Sequence, residues 1–82
     1  MPIKSNDKLT KLQLYAIEMI LEYRQSGALA FYRVEQTDFE AYTRYCFRCH
    51  NRYHTICIQK DGKSGSIKAN AGKEKTFTIV DG

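Results

Sequence analysis

Thr37-Asp38-Phe39-Glu40-Ala41-Tyr42-Thr43-Arg44-Tyr45-Cys46-Phe47-Arg48-Cys49-His50 can be read in two ways, and the fold of the chain turns on the choice. As a helix it opens on a capping box, with Thr37 and Glu40 satisfying each other's end of the backbone. Phe39, Tyr42, Cys46 and Cys49 then share one face, while Arg44 and Arg48 share the other, with Glu40 one turn before Arg44. As a strand, Tyr42 to Arg48 has the aromatic and β-branched content that local propensity favours. The helical spacing and the cap together predict a short second helix here.

Working outward, residues 6–25 carry the clearest periodicity. Leu9, Leu12, Ala16, Met19, Ile20 and Tyr23 recur at helical spacing, and Leu14, Ile17 and Leu21 widen the apolar arc. Ser5 or Asn6 is placed to cap this helix, Asp7 suits the positive end of its dipole, and Gly27 supplies a left-handed stop. So broad an arc places the helix across a sheet or between two partners, and leaves room for a dimer. Residues 28–35 read as a strand. Tyr53 to Gln59 alternates, with His54, Ile56 and Ile58 on one face. Asp61-Gly62 is a turn signal, Ser66 to Ala69 a short strand, and Thr76 to Val80 a closing one. The expected fold is one α+β domain over residues 1–82: a long N-terminal helix packed on a three- to four-stranded antiparallel sheet, with the short second helix between strands.

Composition supports a packed domain. The chain has 82 residues, 43% hydrophobic, with one proline and five glycines, which excludes a disordered tail or a fibrous repeat. No apolar run exceeds five residues (Ala28 to Tyr32), too short to cross a bilayer as a helix. The first residues lack the apolar stretch of a secretory signal, so a soluble, cytoplasmic protein is expected. The net charge of +4 is unevenly spread. Residues 1–40 hold five basic against six acidic side chains, and residues 41–80 hold eight against two. A positive face built from the second half would attract a polyanion or an acidic protein.

Cysteine and histidine concentrate between residues 46 and 57. Cys46, Cys49, His54 and Cys57 give Cys-x2-Cys-x4-His-x2-Cys, which resembles the retroviral zinc knuckle and has ligands of the right number and type for zinc. The last gap is two residues shorter than in a knuckle, and the turn glycines are missing. Cys57 would also face away from His54 in a strand. No cofactor is therefore expected, with zinc on these four residues as the alternative and three reduced, buried cysteines as the plainer reading. Cys46-Phe47-Arg48-Cys49-His50 also matches the attachment signature of c-type haem, but no export segment accompanies it. His50-Asn51 with His54 resembles His-Asn-His nucleases without their scaffold, and Gly62-Lys63-Ser64 echoes only the end of a phosphate loop. No catalytic constellation emerges, and no enzyme is expected.

What remains is arginine and lysine interleaved with aromatic residues. On the second helix Arg44, Arg48 and Arg52 would form a ladder able to hold successive phosphates, with Tyr45 and Tyr53 stacking on unpaired bases. Lys60, Lys63, Lys73 and Lys75 would add charge from the turns. These nine residues are the expected binding site of a small nucleic-acid-binding module, for RNA or single-stranded DNA. The alternative partner is an acidic protein, covered by a regulator or inhibitor resembling, in size and style alone, the small accessory proteins of phages and plasmids.

Overall fold

The computed structural model describes residues 3–5, 8–27, 32–69 and 72–80. Its elements are β1 (Ile3–Lys4), α1 (Lys11–Ser26), β2 (Glu35–Asp38), β3 (Tyr42–Cys49), β4 (Arg52–Gln59), β5 (Ser64–Ala69) and β6 (Lys75–Ile79). All six strands join one antiparallel sheet in the order β1-β6-β5-β4-β3-β2. From β2 to β6 the chain runs as consecutive hairpins. The two-residue β1 returns beside β6, pairing Ile3 with Ile79. The helix connects strands on opposite edges of the sheet. Its 16 residues extend about 24 Å, close to the width of six strands, so it is long enough to cover one face.

This architecture corrects the expected one. The sheet has six strands rather than three or four, and the single helix among the described residues is short, beginning at Lys11. Thr10 caps it. The Gln13 amide donates to Thr10 Oγ1 at 3.1 Å, and the Thr10 amide donates to Gln13 Oε1 at 2.9 Å, a complete capping box. Ser5 instead donates its hydroxyl to the Thr76 carbonyl at 2.6 Å. The other expected cap, Asn6, and the dipole partner Asp7 lie outside the described residues. At the far end Gly27 adopts φ 75° and donates to the Tyr23 carbonyl at 2.7 Å, the expected left-handed stop.

The expected second helix is a strand hairpin. Thr37 pairs with Arg44 across β2 and β3, and the turn between them closes through the Phe39 amide on the Tyr42 carbonyl at 2.8 Å. The physical reason lies in β4. Thr43, Tyr45, Phe47 and Cys49 turn inward at period two, opposite Ile58, Ile56, His54 and Arg52. This register buries Tyr45 and Phe47 beside the isoleucines, whereas the helical reading would bury Phe39 and Tyr42 instead. Full burial of each large apolar side chain is worth about 1.5–3 kcal/mol, which outweighs an exposed capping box. The strand expected at 28–35 also shifts. Residues 28–31 lie outside the described residues, residues 32–34 are irregular, and β2 begins at Glu35.

The core lies between helix and sheet. Ala16, Ile17, Met19, Ile20 and Leu21 of α1 meet Tyr45, Phe47, Ile56, Ile58, Ile67, Phe77 and Ile79. Gly65 is required here. A side chain at this position would run into the Cys57 carbonyl and lie 2.8 Å from Phe77 Cζ. Among the described residues no helix is long and apolar enough to cross a membrane.

Candidate binding face

Because α1 covers one face, the strand pleat delivers every second residue to a face without a helix. On β3 these are Tyr42, Arg44, Cys46 and Arg48. Directly opposite on β4 stand Gln59, Cys57, Thr55 and Tyr53. The register carries the face outward to Glu35 and Thr37 on β2, and to Ser66 and Lys68 on β5. Thr76, Thr78 and Lys4 complete it on β6 and β1. At that end an open groove of about 790 Å³ is lined by Lys4, Ser5, Gln59, Ser64, Ser66, Glu74, Thr76 and Thr78, mostly hydroxyl and amide groups.

Arg44 is half-buried. Its guanidinium carbon sits 5.2 Å from the Phe39 ring centre, and Phe39 in turn packs on Tyr42 at 4.9 Å. Its Nε is shielded from water and has no hydrogen-bond partner. The one ion pair among the described residues joins Lys60 to Asp38 at 3.7 Å, so neither Arg44 nor Arg48 has a carboxylate within pairing distance. Tyr53 is 39% exposed beside Arg48. The neighbouring Cys46 thiol raises the Tyr53 phenol above its usual range, helped by partial desolvation. Burial likewise raises the Cys57 thiol, against a smaller opposing effect of Ser66. Both groups are therefore neutral near pH 7.

The nine residues expected to form the site divide. Arg44, Arg48 and Tyr53 share the helix-free face. Arg52 stands on the other side of the sheet, at the rim beside buried Cys49. Tyr45 is 3% exposed, under the helix, and its hydroxyl accepts from Arg24 Nη1 at 2.8 Å, so it offers no stacking surface. Lys60 turns to Thr43 Oγ1 at 3.1 Å and to Asp38. Hydrogen bonds from Gln36 and Thr43, together with that lysine, hold the Asp38 carboxyl below its usual range. Lys75 donates to the Lys8 carbonyl at 2.7 Å and to Gln13 Oε1 at 3.2 Å, tying the start of α1 to β6. Lys63 and Lys73 are exposed in turns. The arginine ladder i, i+4, i+8 reduces to Arg44 and Arg48. Sequence reasoning missed Lys68, Lys4 and Phe39 on the helix-free side. Alternation through Ser66-Ile67-Lys68 was the available signal for Lys68.

The zinc set does not assemble. Cys46 and Cys57 lie on the helix-free face, whereas Cys49 and His54 are buried on the helix side. Ligands three residues apart share a face in a helix and take opposite faces in a strand. Among the described residues no group of three or more His, Cys, Asp and Glu side chains could hold a metal ion, and all three cysteines are free thiols. His54 is fully buried against Phe47 at 5.6 Å, and neither ring nitrogen makes a well-formed hydrogen bond. Burial, reinforced by the Arg52 charge, lowers its pKa from the ordinary 6.5, with the Cys49 backbone pulling less strongly the other way.

No family model, no curated protein and no solved structure matches this chain.

Proposed function

We propose that the helix-free face of the sheet binds single-stranded nucleic acid, RNA or DNA, without turnover. The observation that carries this reading is the pair Arg44 and Arg48, four residues apart on one strand, without a carboxylate partner among the described residues and flanked by exposed Phe39 and Tyr53. Four residues of strand span about 13 Å, which sets two guanidinium groups along a chain of phosphates. A half-buried cation without a counter-ion is held at a cost that an incoming anion relieves. Exposed aromatic rings on a flat sheet stack on unpaired bases, at about 1–3 kcal/mol per base. Lys68 and Lys4 extend the positive charge, against Glu35 and Glu74. Glu18 and Glu22 lie exposed on α1, on the other side of the sheet, and do not offset it. Three free thiols suit a cytoplasmic protein.

Anisotropy titrations of the full chain with short labelled RNA and DNA single strands test this reading. With three phosphates neutralised, affinity falls roughly tenfold to twentyfold between about 50 and 200 mM salt. Arg44→Ala weakens binding and flattens that slope. Binding that is absent, or equal for both proteins at both salts, removes the proposal. A partner protein retained after nuclease treatment would give the face to an acidic protein surface instead.

A further inference from the structure

Among the described residues, the middle hairpin outruns its neighbours. Pairing of β2 with β3 stops at Glu35 and Cys46, and pairing of β4 with β5 stops at His54 and Ala69. Among the described residues, the end of β3 and the start of β4 therefore pair only with each other, over about 7–10 Å. The helix side of this extension is seated, with Phe47, Cys49 and His54 buried and the His50 ring 5.9 Å from Tyr15. On its other side Arg48 and Tyr53 are exposed, as is Asn51 at the apex; His50 and Arg52 are exposed at the rim of the helix side.

The apex is conformationally expensive. His50 and Asn51 have φ 52° and 62°, the left-handed pair of a two-residue hairpin turn, for which Asn-Gly is the preferred sequence. The chain does use glycine in the next turn, where Gly62 has φ 72°. His50 packs on Tyr15. Asn51, however, keeps a side chain in a left-handed position where glycine is preferred, on an exposed tip beside Arg48 and Tyr53. That is the pattern expected where the side chain touches a ligand.

We infer that this tip is the base-reading element for the single strand held on the helix-free face. The inference rests on the function proposed above. Arg48 grips the backbone on the helix-free side of the hairpin, and Tyr53 beside it stacks on one base. Asn51 presents an amide donor and acceptor side by side, which matches an unpaired adenine edge.

The test compares wild type, Asn51→Gly, and His50→Asn combined with Asn51→Gly, each as the full chain. Melting is measured together with affinity for short oligo-A, oligo-C and oligo-U at one salt. Wild type prefers oligo-A by roughly fivefold or more. Both variants melt higher, by about 4 °C, because glycine relieves the turn, yet they bind the three oligomers alike with an undiminished salt slope. Variants that keep the adenine preference, or a wild type that shows none while Arg44→Ala still weakens binding, overturn the inference and leave the binding face standing. A wild type that binds no oligomer overturns both.

Discussion

The two faces of this sheet are made by the same strands, one residue out of step, and they carry opposite chemistry. Under the helix lie Tyr45, Phe47, Ile56, Ile58, Ile67 and Phe77, all nearly inaccessible. On the other side the alternate positions are Arg44, Cys46, Arg48, Thr55, Cys57, Ser66 and Lys68. One face removes apolar area from water and holds the fold. The other is half-buried to exposed and carries the polar and charged side chains. Under the proposed function, stability and binding are separated by residue parity, and neighbouring residues on β3 should respond to substitution in different ways.

The largest effect is expected beneath the helix. Phe47→Ala leaves a cavity between β3, β4 and α1, and should cost about 3–5 kcal/mol in urea unfolding. A loss below about 1 kcal/mol would mean that the covered face does not form the core. A smaller effect comes from acid. His54 is held neutral in the folded protein, with its pKa below 6.5, so the unfolded chain takes up a proton that the native state refuses. Stability should therefore be full above pH 6.5 and fall as pH drops through and below it. His54→Leu should flatten the melting profile between about pH 5 and 7; a profile unchanged from wild type would place the acid sensitivity elsewhere. The smallest effect is predicted next door to Phe47. Arg48→Ala should move stability by no more than about 0.5 kcal/mol while weakening nucleic-acid binding. A large loss of stability there would break the division between the faces.

Legibility followed the strength of local periodicity. The apolar arc of α1 and the alternation of β4 were readable because each pattern has a single interpretation. Residues 37–50 were not, because both faces of β3 carry apolar side chains. Tyr42 and Cys46 point away from the helix, and Tyr45, Phe47 and Cys49 point toward it, so alternation is blurred while Phe39, Tyr42, Cys46 and Cys49 fit a helical stripe by coincidence. The pairing of Arg44 with Arg48 survived the error, since positions four apart share a face in either element. Tyr45 did not survive it, and neither did the zinc ligands.

By itself the sequence determined the helix with its glycine stop, the alternation that builds the C-terminal strands, and the concentration of positive charge after residue 40. Tertiary structure alone decided that β3 is a strand, because only pairing with β4 gives Tyr45 and Phe47 a place to be buried. It also decided which cations remain free. Lys60 and Lys75 are drawn into contacts with Asp38, Lys8 and Gln13, residues distant in sequence or on another strand, whereas Arg44 and Arg48 meet no carboxylate among the described residues. Charge is counted along a chain, but whether it is neutralised depends on distances of a few ångströms that exist only after folding.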